Sequence, residues 1–111
     1  MGLTKTTAFS SRHNEIANIA KAFAHPARVA ILEYLVQHKS CICGDLVDEI
    51  GLAQATISQH LKELKKIEII KGSIEGTKVC YCINQTKWKE IKNLFAEMFA
   101  TLSCCDEEGC C

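Results

Sequence analysis

The chain has 111 residues, with 13 basic and 13 acidic side chains and eight cysteines. This length suits one domain and is too short for two ordinary ones. No apolar run reaches the ~20 residues that a membrane helix needs, and residues 1–12 lack the apolar core of a signal peptide. We therefore expect a cytoplasmic protein without membrane contact, in which structural disulfides are rare.

The charges are unevenly distributed although they cancel overall. Residues 1–44 sum to +3, residues 45–53 to −3, residues 54–92 to +4 and residues 93–111 to −4. A basic middle beside an acidic tail favours local contact with nucleic acid over the behaviour of a general polycation.

The first third of the chain predicts a flexible arm, residues 1–11, and two helices. In Arg12–Ala24 the apolar residues at helical spacing are Ile16, Ala20 and Phe23. Pro26 suits the first position of the next helix, Pro26–His38. We expect the buried face of this second helix to comprise Val29, Ile31, Leu32, Leu35 and Val36.

The next segment predicts a helix-turn-helix. A short helix over Gly44–Ile50 leads through the turn Gly51–Ala53 into a longer helix, Gln54–Lys66. The longer helix has a polar outer face, and an α-helix of this kind fits the major groove of B-DNA. The candidates for contact with base edges are Gln54, Thr56, Ser58, Gln59 and His60.

A β-hairpin follows, with predicted strands Ile69–Ser73 and Val79–Ile83 and a turn at Gly76. A hairpin in this position makes the helix-turn-helix a winged one. Lysines near the groove contact phosphates, which fix the register of the protein on DNA but carry little sequence information. The candidate phosphate contacts are Lys62, Lys65, Lys66, Lys71 and Lys78.

The last helix is expected to start with Thr86 as its cap and to end near Leu102. Its apolar residues repeat at intervals of three and four, which is the pattern of a coiled-coil seam. These seam residues are Trp88, Ile91, Phe95, Met98 and Leu102. We expect a partner chain to cover them, so that residues 12–102 form a DNA-binding and dimerisation domain and residues 103–111 a cysteine-rich tail.

The stretch Ser58-Gln59-His60-Leu61, with His25-Pro26-Ala27-Arg28 before it and the hairpin after it, resembles the ArsR/SmtB family of metalloregulatory repressors, of the arsenic-responsive type. The resemblance covers nearly the whole chain. It implies a mainly α winged-helix homodimer, joined through its first and last helices, that leaves double-stranded operator DNA when an inducer binds. One departure is Ala53, which stands where relatives usually carry a serine cap.

The cysteines suggest the inducer. Thiolates favour soft ions, and a trivalent arsenic or antimony centre takes three sulfurs in a pyramid. As(III) or Sb(III) is therefore the expected inducer, with no organic cofactor. The zinc site that some relatives build on the last helix needs histidine, and residues 86–92 contain none.

The preferred ligand set is the tail, because adjacent cysteines followed by a third can wrap three sulfurs around one ion. It resembles relatives whose arsenite site lies at the end of the last helix. The tail ligands are Cys104, Cys105, Cys110 and Cys111.

The second choice is Cys41 and Cys43, predicted to lie at the start of the reader's first helix, where helix-end amides favour thiolate. Gly44 interrupts the Cys-x-Cys-Asp-Leu pattern usual in the family. Cys80 and Cys82 share one face of a strand and are expected to be a structural pair.

Two alternatives to an arsenic-responsive repressor stay open. One is a redox or persulfide sensor on the same scaffold, which uses paired thiols as a reversible bridge. The other, from a different class, is a cytosolic thiol protein that buffers metal. An enzyme is not expected, because the sequence has no phosphate-cradling glycine loop and no pairing of nucleophile with base.

Overall fold

The computed structural model describes residues 8–38, 41–42, 46–75 and 78–102. Within them the chain forms five helices and one antiparallel hairpin, the predicted fold class. The elements in chain order are α1 (Ser11–Phe23), α2 (Pro26–Gln37), α3 (Leu46–Ile50), α4 (Gln54–Lys66), β1 (Ile70–Glu75), β2 (Lys78–Ile83) and α5 (Gln85–Ala100).

Side-chain caps determine where the first and last helices, α1 and α5, begin. The Ser10 hydroxyl accepts a hydrogen bond of 3.0 Å from the backbone N–H of His13 and starts α1. Asn84 starts α5, since its side-chain oxygen accepts a 3.3 Å bond from the backbone N–H of Lys87. The predicted cap, Thr86, is therefore wrong. It lies inside a helix that begins one residue earlier, at Gln85.

The core contains a narrower face of α2 than the sequence predicted. Ile31, Leu32 and Leu35 are buried, whereas Val29 and Val36 are 41% and 48% exposed. The three buried residues pack against the other helices and the hairpin. The remaining buried members of this core are Ile19, Ile42, Leu46, Ile57, Leu61, Leu64, Ile69, Ile70 and Ile91.

The hairpin is longer than predicted, because β1 continues to Glu75 and β2 starts at Lys78. Its register pairs Ile70 with Ile83 and Lys71 with Cys82. No helix in the described part of the chain is long and apolar enough to cross a membrane.

The segment before α3 adds to this sheet. Ile42 and Tyr81 exchange two backbone hydrogen bonds, of 2.8 Å from the Ile42 N–H and 2.9 Å from the Tyr81 N–H. This antiparallel bridge attaches the link between α2 and α3 to the outer side of β2. The wing is therefore fastened to the body of the domain at a point remote from its tip.

Helix α4 lacks a side-chain cap. Ala53 stands at the N-cap with extended backbone geometry, and it provides no side-chain hydrogen bond to the first turn. We expect Ala53→Ser to raise the free energy of unfolding by about 1 kcal/mol, because the hydroxyl satisfies one free N–H of the first turn. Urea unfolding of the two proteins measures the difference. Ala53→Gly is a useful control, since it changes the backbone without adding an acceptor.

Candidate nucleic-acid interface

The turn between α3 and α4 sets the position of the reading helix. Gly51 has a φ of 81°, in the left-handed region that favours glycine, and its N–H donates a 2.9 Å bond to the Val47 carbonyl. Helix α4 then buries Ile57, Leu61 and Leu64, as predicted. This packing holds the opposite face of α4 towards solvent.

Four of the five predicted base-contacting residues lie on that exposed face. Gln54, Thr56, Ser58 and Gln59 are all exposed. Two of them are oriented by bonds along the helix: the Gln54 amide donates to the Ser58 hydroxyl at 3.1 Å, and the Gln59 amide donates to the Glu63 carboxylate at 3.4 Å. These bonds are exposed, so the amides can exchange them for base edges at little cost.

His60, the fifth predicted residue, lies elsewhere. It is only 6% exposed, and its Nδ1 accepts a 3.1 Å bond from Nε of Arg28. The same guanidinium donates a 3.2 Å bond to the Ala22 carbonyl, so Arg28 connects the end of α1 to α4. The sequence pattern does indicate the burial of His60. Position 60 completes the i, i+3, i+4, i+7 pattern begun by Ile57, which marks a buried face.

The surroundings of His60 favour its neutral form. Burial lowers the pKa of His60, and the nearby His25 ring and the Arg28 guanidinium lower it further. Because Arg28 donates to Nδ1, the proton of the neutral ring is on Nε2. Protonation of Nδ1 would remove this bond and place two cations side by side.

This arrangement makes stability depend on pH. The pKa of His60 is lower in the folded protein than the usual value of 6.5 that it has in the unfolded chain. As the pH falls below 6.5, the unfolded chain therefore binds a proton at His60 before the folded protein does. The free energy of unfolding should therefore fall as the pH drops from about 7.5 to about 5.5. Urea unfolding across this range measures the loss, and His60→Asn, which keeps an acceptor but does not titrate, should reduce it. An unchanged pH dependence in this variant would contradict the assignment.

The basic residues around α4 and the wing differ in their surroundings. Lys62 and Lys71 are exposed. Lys66 donates a 3.2 Å bond to the Glu63 carboxylate, and this bond lowers the pKa of Glu63. Lys65 extends from α4 to the wing. Its ammonium lies 3.5 Å from the position that a Cβ atom would have at Gly72. The side chain of Lys78 lies outside the described residues.

The structure brings together two cysteines that the sequence analysis assigned to separate sites. Cys41 and Cys82 form a disulfide, and their Cα atoms are 4.4 Å apart. The prediction that Cys41 lies at the start of a helix is wrong. Cys41 lies in an extended segment, five residues before α3 begins at Leu46. Helix-end amides therefore do not act on it.

The register of the bridge explains this contact. Because Ile42 and Tyr81 exchange both backbone bonds, the positions next to them form a non-hydrogen-bonded pair, in which Cα atoms lie about 4.5 Å apart. The sequence pattern that indicates this contact is the pair of Cys-x-Cys segments, whose central residues, Ile42 and Tyr81, both favour strands. Cys80, fully buried on the same strand, is disulfide-bonded as well.

The other predicted metal ligands lie outside the described residues. These are Cys43, Cys104, Cys105, Cys110 and Cys111. Within the described ranges, no group of three or more cysteine, histidine or acidic side chains is arranged to hold a metal ion. A three-sulfur site therefore needs at least one cysteine from beyond them.

Comparison with known proteins gives the family. A family model described as "Bacterial regulatory protein, arsR family" matches residues 25–71. An HTH-type transcriptional regulator of Methanocaldococcus jannaschii is 41% identical over 88 residues, which span 78% of this chain and 98% of that protein. The chain belongs to the ArsR family. It is thus a DNA-binding transcriptional repressor and not an enzyme.

One further relative and one solved structure are also similar to this chain. The arsenical resistance operon repressor of Staphylococcus xylosus is 32% identical over 72 residues, or 65% of this chain and 68% of that one. A homodimeric winged helix-turn-helix domain of Mycobacterium bovis superposes with a TM-score of 0.63 at 22% identity, over 92% of this chain and 93% of that chain. The second comparison shows the shared fold.

Proposed function

We propose that this ArsR-family repressor binds a two-fold symmetric operator as a cytoplasmic homodimer and leaves it when cysteine thiolates bind As(III) or Sb(III). The observation that carries the proposal is the combination of an exposed reading helix with eight cysteines, two of which are in contact beside the reader. The relative in Staphylococcus xylosus is named for arsenical resistance, which supports this inducer class.

The DNA-binding part of the proposal assigns two roles. Gln54, Thr56, Ser58 and Gln59 read base edges from the exposed face of α4, while exposed lysines on α4 and the wing contact phosphates. His60 has no direct role in this proposal, because its ring is buried and bonded to Arg28. It supports the reading helix from behind.

The dimer part of the proposal is based on apolar residues that one chain leaves uncovered. On α5 and just after it, Phe99 and Leu102 are 68% and 65% exposed. Leu102 belongs to the same seam as Ile91, which is buried, and Trp88, which is partly buried. A second copy that pairs through α1 and α5 would bury this surface, as the homodimeric Mycobacterium bovis relative suggests.

The inducer part of the proposal needs a third sulfur. Cys41 and Cys82 supply only two thiols, and a pyramidal As(III) or Sb(III) site takes three. We therefore keep the tail cysteines as the preferred ligands, with Cys41 and Cys43 as the second choice. The tail directly follows α5, so metalloid binding there would act on the dimer helix and reach the reader through the dimer.

Fluorescence anisotropy with a labelled operator tests this proposal. Arsenite added to the reduced protein–operator complex should release DNA, and Cys104→Ser with Cys105→Ser should abolish release while operator affinity without arsenite stays the same. A tail variant that responds like the wild type would contradict the tail assignment. A wild type that binds no arsenite would contradict the inducer class.

X-ray absorption at the arsenic edge provides an independent readout of the ligands. The proposal predicts three sulfur neighbours for each bound arsenic. Cys41→Ser then distinguishes the two ligand sets, because it should leave this number unchanged if the tail is the site and lower it if Cys41 and Cys43 bind the ion.

A further inference from the structure

We propose that Cys41 and Cys82 are a reversible thiol–disulfide site that takes a small anionic disulfide or thiol and controls operator affinity. This response is separate from metalloid binding at the tail cysteines, and it depends only on operator binding by the family fold. The proposal stands on three features of the structure: what the bond encloses, what keeps the two thiols together, and how a reagent reaches them.

The bond encloses the DNA reader. Cys41 and Cys82 are 41 positions apart, and the chain between them contains α3, the turn, α4, β1 and most of β2. Oxidation therefore closes a covalent loop around the complete winged helix-turn-helix. Reduction of this bond removes one covalent connection between the wing and the α2–α3 link and leaves the backbone hydrogen bonds between Ile42 and Tyr81 in place.

The backbone keeps the thiols in register without the bond. The two hydrogen bonds between Ile42 and Tyr81 place Cys41 directly opposite Cys82. The disulfide can therefore be reduced and formed again while the two cysteines stay next to each other. This is the property that distinguishes a reversible site from two cysteines that meet by chance.

A cavity gives access to the pair. Cys41 and Cys82 are both partly exposed, and they line an open cavity of about 840 Å³. Lys71 and Lys89 also line it, with Trp88 on an apolar part of its wall. Two lysines in the lining of the same cavity favour an anionic reagent, and a molecule the size of glutathione fits the volume.

The reaction is an exchange. Cys41 and Cys82 lose their two thiol protons and form one S–S bond, while the two electrons released cleave the S–S bond of the small disulfide and the protons complete two small thiols. An excess of the small thiol reverses each step. The fraction of bonded site therefore depends on the concentration of the small disulfide divided by the square of that of the small thiol.

The bond couples to DNA through the wing. Lys71, a predicted phosphate contact, is the cross-strand partner of Cys82, and directly opposed residues share one face of a sheet. When Cys82 is bonded to Cys41, this part of the wing is fixed to the α2–α3 link and cannot adjust to the backbone of DNA. We therefore assign the tighter operator binding to the reduced form.

Equilibration in glutathione buffers tests the proposal. Operator affinity is measured by anisotropy at several ratios of oxidised to reduced glutathione, and peptide mass spectrometry measures the Cys41–Cys82 bond in the same samples. Affinity should fall by at least about fivefold as the bond forms. Equal affinity of bonded and reduced wild-type protein would overturn the proposal, whatever the variants do.

Variants locate the effect. Cys41→Ser and Cys82→Ser should each remove the dependence on glutathione, with helix content checked by circular dichroism. The tail variant Cys104→Ser with Cys105→Ser keeps the pair and should respond to glutathione like the wild type, even if its arsenite response is lost. A Cys82→Ser protein that still responds to glutathione would overturn the proposal, while loss of only the arsenite response would leave it intact.

The lysines have their own test. Lys89→Ala should slow formation of the bond by oxidised glutathione but not by the neutral reagent hydroxyethyl disulfide. Equal slowing with both reagents would contradict a role for charge at this cavity.

Discussion

Leu64→Ala is expected to lower the free energy of unfolding by about 2–5 kcal/mol. Leu64 is completely buried where α4 packs on the core, so truncation removes apolar contacts and leaves a cavity. A domain of this size has a total stability of about 5–15 kcal/mol, and the loss is therefore a large part of it. Urea unfolding measured by circular dichroism gives the value.

Val79→Ala is the matched control, because Val79 is 46% exposed on the wing. We expect its effect to stay within about 0.5 kcal/mol. Similar losses in the two variants would mean that α4 does not pack on the core as described.

Gln59→Ala is expected to reduce operator affinity by about 1–3 kcal/mol and to relax specificity at one base pair. The Gln59 amide is exposed on α4, where its bond to Glu63 orients it. Anisotropy with the operator and with single-base variants of it measures both effects.

Lys62→Ala provides the contrast to Gln59→Ala. Lys62 is an exposed cation on the same helix, so its loss should weaken binding to all sequences about equally and reduce the salt dependence by about one unit. Glu33→Ala, on the exposed side of α2, controls for a general change of surface charge. A Gln59→Ala protein that keeps its affinity and specificity would remove α4 from base recognition.

The strongly periodic parts of the fold could be predicted from the sequence. Helix α4 has the predicted ends, because its apolar residues recur at helical spacing and Gly51 allows the turn before it. The hairpin was predicted from its strand composition, although its strands continue further towards the turn. These features are decided by residues close together in the sequence, so the spacing of apolar residues and the local composition are enough to predict them.

The contacts that the sequence did not reveal join distant segments. His60 was assigned to the polar face by its chemistry, but Arg28, 32 positions earlier, supplies the bond that allows its burial. Cys41 and Cys82 meet because the link before α3 pairs with β2. Spacing along the chain cannot indicate which segment lies beside which strand.

One comparison tests most directly whether cysteine chemistry controls this repressor. Operator binding is measured for the reduced wild type and for a folded variant in which Cys80 is alanine and the other seven cysteines are serine, each with increasing arsenite. The wild type should leave the operator, and the variant should remain bound throughout. Equal release of the two proteins would contradict a role for the thiols.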